Sequence, residues 1–262
     1  YDAGSNSVIW PLGDNLPANP GLTSSGGAAL CPVAFTAPLL ADTWIDKDKK
    51  NNNNGGNALL FTRPADANHL KYTLLKFDVS GIPAGATINS ATLQLTTQTA
   101  RASNHFDQVH ELLTPWTQGT ANNQACNAGN GNGATWNAPN CTGSWAAGMF
   151  SSADYAPGVL GTIIPKTNNK PSTANIAAAV NDWVNNNVAN NGIVLISTGK
   201  DGGDAKNYSS SPSNNAAYRP SLTRTYLVPT PGGCSGTATL TSVADTFVQK
   251  NKPTEIQGTA TT

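Results

Sequence analysis

Carboxylates that could pair for general acid and base chemistry are scarce in this sequence. Glu occurs only as Glu111 and Glu255, so a glycosidase would have to draw its two carboxylates chiefly from Asp. None of the Asp positions has a recognisable catalytic context. The segment HELLT at 110–114 lacks the second His of a zinc-protease helix, and the three His are too scattered for metal binding: His69, His105 and His110. We therefore predict that the protein is not an enzyme.

Two short Asp pairs are the next candidates for chemistry, since calcium prefers hard oxygen ligands. Asp46 and Asp48 run into NNNNGG, and Asp201 and Asp204 flank two glycines. Lys50, however, stands where an EF-type loop would carry its third acid. We favour solvated polar turns, in which Asp and Asn tolerate left-handed backbone. Calcium remains a weak alternative, and no other metal or cofactor is predicted.

Charge excludes two classes of partner. Charged residues make up 11% of the 262 residues, and 15 acidic residues balance 15 basic ones. Ordinary soluble domains carry about a quarter, so the surface must be polar and neutral. Without a net field to recruit them, nucleic acid and anionic membrane surfaces are not expected as partners. No apolar run reaches the roughly 18 residues of a membrane helix, so membrane insertion is not expected either.

Four cysteines in a weakly charged chain fit an oxidising, extracellular or cell-surface setting. The first residue, Tyr1, also predicts that a signal peptide has been removed. Cys126 and Cys141 bracket a Gly- and Asn-rich stretch, and we predict that they pair. Cys31 and Cys234 lie just before the first strand and after the last, so we pair them too. The open alternative is a bridge from Cys31 to Cys234 of an adjacent subunit.

Short runs of β-branched and aromatic residues, separated by Gly, Pro and Asn, predict the elements that must position these side chains. The predicted strands are FTAPLLADTWI, NALLFTR, KYTLLKFDVS, INSATLQLTT, QVHELLT, VLGTIIP, NGIVLIST and SLTRTYLV. One segment, STANIAAAVNDWVNN, instead has helical spacing, with Ser172 or Thr173 as the candidate N-cap and an apolar stripe: Ile176, Val180, Trp183 and Val184. The predicted fold is an all-β jelly-roll sandwich with one short helix.

Both ends of the chain are predicted to be extended arms. Residues 1–30 are rich in Pro and Gly and show no periodicity. At the other end, ADTFVQKNK at 244–252 repeats ADTWIDKDK at 41–49, and the same offset carries Cys31 onto Cys234. The predicted organisation is an arm over 1–30, a sandwich over 31–234 and the opening strand of a second repeat over 235–262. In that strand Ala244, Thr246 and Val248 share one face and Phe247 takes the other.

A series of motifs stands in the order found in one known family. They are Ala41-Asp42-Thr43, Leu75-Lys76-Phe77-Asp78-Val79 with Ile82-Pro83, Ile88 with Ser90-Ala91-Thr92-Leu93 and Leu95, Pro115-Trp116-Thr117-Gln118-Gly119, Ala134-Thr135-Trp136-Asn137, Val180-Asn181-Asp182-Trp183-Val184, Asn191-Gly192-Ile193-Val194-Leu195 and Arg219-Pro220-Ser221-Leu222. With this set, residues 38–228 resemble the DNRLRE domain, the disaggregatase-related repeat also classed as a carbohydrate-binding module family. The chain departs from it by an insertion over 121–133 and by both arms.

The resemblance implies a secreted sandwich of cell-surface proteins, with polysaccharide binding in some members. It also implies that Trp116, Trp136 and Trp183 belong to the framework, so we predict that they are buried with no site of perturbed carboxylates among them. Trp145, Tyr155 and Tyr208 fall in variable loops. Exposed aromatic faces beside polar groups suit sugar binding, so these three are the candidate sugar platform; packing lids are the alternative.

Two functions from different classes follow. In the first, the protein is a non-catalytic subunit of a cell-surface fibre or tandem array, in which residues 236–262 add a strand to a neighbouring copy. In the second, it is a secreted carbohydrate-binding module that recognises a polysaccharide. We favour the fibre, because an opening strand without its own sheet needs a partner for its backbone groups.

Overall fold

Two antiparallel sheets face each other across the interior of the protein. The computed structural model describes residues 29–64, 69–99, 106–198 and 206–230. The strands are β1 (Ala29–Ala37), β2 (Leu39–Asp46), β3 (Asn52–Asn53), β4 (Leu59–Thr62), β5 (Lys71–Phe77), β6 (Thr87–Thr99), β7 (Phe106–Glu111), β8 (Gln124–Ala125), β9 (Gly161–Ile163), β10 (Lys170–Asn175), β11 (Ile193–Thr198), β12 (Lys206–Ser209) and β13 (Ser221–Thr230); the helix is α1 (Ala177–Asn185). The predicted all-β sandwich with one short helix is confirmed.

The larger sheet is organised around the long strand β6. Its order is β1-β13-β6-β12-β4, and β10 also pairs with β6. Thr97 pairs with both Tyr208 of β12 and Lys170 of β10, while Leu93 pairs with both Leu222 of β13 and Ala174 of β10. A strand has two hydrogen-bonding edges, so β12 and β13 follow one another along one edge of β6 and β10 occupies the other.

The smaller sheet has the order β2-β5-β11-β7-β9 and is buried on much of both faces. Successive side chains of a strand point to opposite faces. On the inner face, residues such as Leu75, Leu195 and Val109 join the core between the sheets. On the outer face, Leu74 and Val194 join a second apolar cluster. This double burial explains why β11 begins with a continuous apolar run, IVLI, rather than an alternating one.

The second cluster is closed by residues 112–155, here called the covering segment. It contributes Trp116, Trp136, Trp145 and Phe150, which pack against Ile45 and the outer residues of β5 and β11. The predicted disulfide between Cys126 and Cys141 lies within this segment, with the two Cα atoms 5.3 Å apart. The predicted burial of the framework tryptophans Trp116, Trp136 and Trp183 is confirmed.

Removing the disulfide of the covering segment is expected to lower the free energy of unfolding by about 3 kcal/mol, because a bridge across 15 residues restricts the unfolded chain. The change is the double variant Cys126→Ser with Cys141→Ser, measured by urea denaturation. Substitution is preferable to a reducing agent because Cys31 is also disulfide-bonded. A variant within about 0.5 kcal/mol of the wild type would contradict this expectation.

The helix lies where its apolar stripe predicts, but it begins later. Val180 and Trp183 are buried on its inner side, and Ile176, just before it, is fully buried. The predicted N-cap was wrong, because Ser172 and Thr173 belong to β10. The residue before the helix start, Ile176, makes no side-chain cap bond; instead Asn175 Oδ1 accepts the N–H of Ala177 at 2.9 Å.

Residues Pro32–Val228 form one compact unit. Nearly all of the second unit, Tyr1–Cys31 with Pro229–Thr262, lies outside the described residues. The two predicted arms and the three-part domain division therefore stay predictions. Cys31 is disulfide-bonded, but its expected partner Cys234 lies outside the described residues, as does the predicted assembly strand: Ala244, Thr246, Phe247 and Val248.

Candidate functional site

The outer face of the smaller sheet is only partly covered. Along β7, Asp107 and Val109 are fully buried on the inner side, whereas Phe106 and Gln108 alternate with them and point outward. Phe106 is 39% exposed and Gln108 is half-buried. The covering segment therefore leaves β7 uncovered toward its first residue.

The register of the neighbouring strands extends this uncovered region sideways. Gln108 pairs with Ile196 of β11 on one side and with Thr162 of β9 on the other. Phe106 pairs with Thr198. Ile164 follows the buried Ile163 of β9 and is 67% exposed. These residues, with the two tyrosines described next, form what we call the open face: Tyr72, Phe106, Gln108, Tyr155, Thr162, Ile164, Ile196 and Thr198.

Two tyrosines mark the border between the open face and the covering segment. Tyr155 is held by a β-bridge to Leu112 and contacts His110, with ring centroids 5.0 Å apart. Its ring stacks on Phe150 at 6.0 Å, and Phe150 meets Tyr72 at 5.7 Å. Both tyrosines are half-buried, so each keeps part of its surface in solvent.

The phenols of this border are neutral hydrogen-bonding groups. Burial, with a smaller contribution from the phenol of Tyr155, raises the pKa of Tyr72 to about 12. Burial also raises the pKa of Tyr155. No hydrogen bond joins the side chains of Tyr72, Gln108, Tyr155 or Thr162 to another described residue. Among the described residues, these four side chains on the open face therefore have no hydrogen-bond partner.

Two of the three predicted platform aromatics were wrong. Trp145 is 1% exposed, donates its Nε1–H to the carbonyl of Thr135 at 3.0 Å and meets Phe150 edge-on. Tyr208 is fully buried in β12, where its hydroxyl donates to Asp107 Oδ2. Both side chains have packing partners and hydrogen-bond acceptors inside the fold, which leaves no face for a sugar. Tyr155 alone of the three borders the open face, and its platform role stays a prediction.

Sequence reasoning missed Phe106, Tyr72 and Gln108. Phe106 lies two residues before Gln108, the first residue of the predicted strand QVHELLT. If the alternation of that strand is continued backwards, Phe106 falls on the same face as Gln108. That alternation was the signal available for Phe106. Nothing local distinguishes Tyr72 from the buried residues of β5, because its exposure depends on where the covering segment ends.

The geometry does not support the calcium candidates that can be described. Asp46 is 2% exposed and forms an ion pair with Lys71, and its Oδ1 accepts the N–H of Asp48 at 2.9 Å. Asp48 Oδ2 lies 2.7 Å from His69 Nδ1. The pair thus forms an Asx-type turn with cationic or ring partners. Asp201 and Asp204 lie outside the described residues, within which no three His, Cys, Asp or Glu side chains cluster.

Two buried carboxylates between the sheets serve the fold. Asp42 accepts hydrogen bonds from Ser210 Oγ at 2.9 Å and from the N–H of Ser211 at 2.6 Å. Asp107 accepts from Tyr208 and from Thr62 Oγ1 at 3.0 Å. Burial raises the pKa of both carboxyls against these hydrogen bonds. Neither side chain has any exposed surface, so neither can act on a substrate in solvent.

One expectation about the framework tryptophans needs correction. The indole N–H of Trp183 donates to Glu111 Oε1 at 2.5 Å. Burial raises the pKa of Glu111, and the nearby Asp182 adds to this effect. A carboxylate with a shifted pKa therefore does lie beside a framework tryptophan. The hydrogen bond from Trp183 opposes this shift, because it favours the ionised carboxylate.

An antiparallel sandwich hosts many different functions, so the fold alone does not give the class of this protein. The chain belongs to carbohydrate-binding module family 96, whose profile matches residues 33–226. No curated protein matches the sequence. The resemblance seen in the sequence is thus confirmed at the level of a carbohydrate-binding module, and the family is one of non-catalytic binding domains.

The family favours the second of the two predicted functions over the first. The fibre hypothesis depends on residues 236–262, which lie outside the described residues, so strand donation to neighbouring copies stays a prediction without support. Within the described part of the chain, no helix is long and apolar enough to cross a membrane.

Proposed function

We propose that this protein binds a polysaccharide through the open face and does so outside the cell. The observation that carries the proposal is that Phe106 and Ile164 are exposed on the open face among polar side chains. Aromatic rings supply flat apolar area to the C–H faces of sugar rings. The side chains of Gln108 and Thr162, with no hydrogen bond to another described residue, lie beside it to meet hydroxyl groups.

Family membership and the disulfide of the covering segment support this proposal. The profile that matches residues 33–226 is that of a carbohydrate-binding module. The ordered DNRLRE-like motifs add the expectation of a cell-surface protein, and the disulfide of the covering segment suits an oxidising exterior. The finer identity as a DNRLRE domain is part of the proposal.

Replacing Phe106 by Ala is expected to weaken polysaccharide binding about tenfold, because the variant lacks the exposed ring. A tenfold loss of affinity corresponds to about 1.4 kcal/mol of binding free energy. The measurement is mobility retardation in native gels containing soluble polysaccharides, followed by calorimetry with any that retards the protein. Phe106 is 39% exposed, so its truncation should leave the melting temperature nearly unchanged.

The matched control is Tyr218→Ala, which removes a half-buried aromatic ring in the connection between β12 and β13, two strands of the larger sheet. This variant should bind as the wild type does. Equal loss in both variants, or unchanged binding in Phe106→Ala, would refute the assignment of the open face. Binding that needs Tyr218 alone would move the site to the other sheet.

A further inference from the structure

The chain contains four Asn-Gly pairs, and the structure describes all of them: Asn54-Gly55, Asn130-Gly131, Asn132-Gly133 and Asn191-Gly192. Asn followed by Gly is prone to a spontaneous reaction with water, because glycine has no Cβ to shield its nitrogen. In this reaction the backbone nitrogen of the glycine attacks the side-chain carbonyl carbon of the asparagine. The reaction needs that nitrogen free and the amide turned toward it, so hydrogen bonds at either group protect a pair.

In three of the four pairs the glycine nitrogen is occupied. Each of these N–H groups donates a hydrogen bond within the fold: Gly55 to Asn53 Oδ1 at 3.3 Å, Gly131 to the carbonyl of Ala128 at 3.4 Å and Gly192 to Asn190 Oδ1 at 3.0 Å. The N–H of Gly133 is the exception, since it donates to no described residue. Attack by any of the other three nitrogens requires a local opening that first breaks its hydrogen bond.

The asparagine side chains of the same three pairs are also held. Each donates its Nδ2–H to a backbone carbonyl: Asn54 to Trp44 at 2.9 Å, Asn130 to Ala125 at 2.6 Å and Asn191 to Leu113 at 2.9 Å. The side chain of Asn132 is exposed, and it makes no hydrogen bond to another described residue. The two reacting groups of Asn132-Gly133 are thus both free of the hydrogen bonds that protect the other pairs.

We propose that Asn132-Gly133 is a site of spontaneous deamidation, at which water converts Asn132 to aspartate and isoaspartate. The nitrogen of Gly133 loses its proton to hydroxide and forms a bond to Cγ of Asn132. The Cγ–Nδ2 bond breaks, and the leaving nitrogen takes protons from water to depart as ammonia, which restores the hydroxide. A water molecule then opens the cyclic imide at either of its carbonyls. The net reaction consumes an amide and water and forms a carboxyl group and ammonia.

The isoaspartate product should disturb the packing between β3 and the covering segment. It adds a CH2 group to the backbone directly before Gly133, where a Cβ would already lie 2.0 Å from Asn53 Nδ2 and 2.5 Å from the carbonyl oxygen of Gln118. The carbonyl of Asn132 also accepts a hydrogen bond from Thr117 Oγ1. The aspartate product leaves the backbone unchanged and places its charge on an exposed side chain. We therefore expect isoaspartate to lower stability and aspartate to leave it nearly unchanged.

The test incubates the full chain in mildly alkaline buffer and follows each Asn-Gly peptide by mass spectrometry, with isoaspartate detected by enzymatic methylation. The same measurement on the chain unfolded in guanidinium chloride removes the protection of the fold. Asn132→Gly is the blocking variant, because glycine suits the left-handed φ of +54° at this position and has no side-chain amide. Asn132→Asp supplies the aspartate product without the added backbone atom.

In the folded chain Asn132 should deamidate at least about tenfold faster than each of the other three asparagines, because only their reaction waits for a local opening. In the unfolded chain the four rates should agree within about threefold. A folded chain in which Asn132 reacts no faster than the others would overturn the proposal. So would an unfolded chain that keeps the full preference for Asn132, because the selectivity would then come from local sequence and not from the fold.

Melting temperatures test the expected effect on packing. Incubation should lower the melting temperature of the wild type and leave that of Asn132→Gly unchanged, while freshly prepared Asn132→Asp should melt as the fresh wild type does. Wild type that carries isoaspartate at position 132 and melts as before would overturn this effect. An equal loss in fresh Asn132→Asp would also overturn it, because the charge and not the longer backbone would then be the cause.

Discussion

Replacing Asn53 by Asp is expected to lower the free energy of unfolding by about 2–6 kcal/mol, since two buried carbonyls would each lose a donor worth roughly 1–3 kcal/mol. Asn53 is fully buried in β3. Its Nδ2 donates to the carbonyls of Gln118 at 2.7 Å and Ala134 at 3.1 Å. Its Oδ1 accepts the N–H groups of Gly55 at 3.3 Å and Ala121 at 3.1 Å. A carboxylate could keep only the second pair.

The surroundings of Asn53 give the substitution no room to relax. A Cβ at Gly133 would lie 2.0 Å from Asn53 Nδ2, and one at Gly119 would lie 2.4 Å from Asn53 Oδ1. Gly119 also has φ +72°, a conformation that favours glycine. The side-chain amide thus joins β3 to the two stretches of the covering segment that contain Gln118 and Ala134. Loosening this junction should open the covering segment before the sandwich.

The loss of unfolding free energy caused by Asn53→Asp should be smaller at low pH. The new carboxyl is buried beside two carbonyl oxygens, so its pKa in the folded protein must exceed its unfolded value. The folded state then binds more protons than the unfolded state between those two pKa values, and stability falls as the pH rises through that window. Urea denaturation at several pH values measures this effect. At low pH the protonated carboxyl regains one donor.

The matched control is Asn52→Asp, one residue earlier in the same strand. Asn52 is half-buried, and its Nδ2 donates to the carbonyl of Asn123 at 3.0 Å at the surface. The substitution Asn52→Asp should lower the free energy of unfolding by less than about 1 kcal/mol, as for most surface changes. This loss should show no comparable pH dependence. Equal destabilisation by the two substitutions would show that charge in this turn matters and that the buried hydrogen bonds do not.

Strong local patterns made part of the fold predictable. The β-branched, aromatic and leucine-containing runs of β5, β6, β11 and β13 have buried residues at alternate positions, so their composition indicates strands without reference to the rest of the chain. The apolar stripe of α1 likewise predicts its buried side. The spacing of Cys126 and Cys141 predicts a bridge because a floppy loop lies between them.

Other elements could not be found in this way because their positions depend on distant partners. β10, with Ser172 and Thr173, is polar and follows its pairing with β6 rather than any propensity of its own. β12 is short, and all of its residues are buried, so no alternation marks it. The burial of Tyr208 depends on Asp107, which lies 101 residues earlier. Location in an irregular stretch of sequence therefore gave no guide to the exposure of Trp145 or Tyr208.

The open face was beyond prediction for the same reason. Its members come from β5, β7, β9 and β11 and from the covering segment, and they adjoin only through sheet register. Register decides which side chains lie next to each other, whereas composition decides only that a strand exists. The packing of the covering segment on the second apolar cluster determines which part of the outer face of the smaller sheet stays exposed.

Replacing Trp183 by Ala is expected to lower the free energy of unfolding by about 3–5 kcal/mol. Its side chain is 8% exposed and joins the core between the sheets. Domains of this size are stable by about 5–15 kcal/mol in total, so much of the protein should unfold at moderate temperature. Circular dichroism and differential scanning calorimetry measure the loss. Polysaccharide binding should disappear only in proportion to the unfolded fraction.

The companion variant Trp183→Phe separates packing from hydrogen bonding. Phe keeps most of the buried ring but has no N–H for Glu111, and a hydrogen bond to a charged group contributes about 1.5–3 kcal/mol. The indole favours the ionised carboxylate, so its removal should raise the pKa of Glu111 further. Glu111 is one of only two Glu in the chain, which makes its side-chain carboxyl carbon easy to follow by NMR titration.

Together the two variants assign the role of Trp183. A framework residue requires the order wild type, Trp183→Phe, Trp183→Ala in decreasing stability, with the affinity of the folded fraction for polysaccharide unchanged. If Trp183→Ala remains fully folded and loses its ligand, Trp183 belongs to a binding site at the edge of β7 and not to the framework. In that case the pKa of Glu111 would report ligand binding directly, because the indole and the carboxylate share one hydrogen bond.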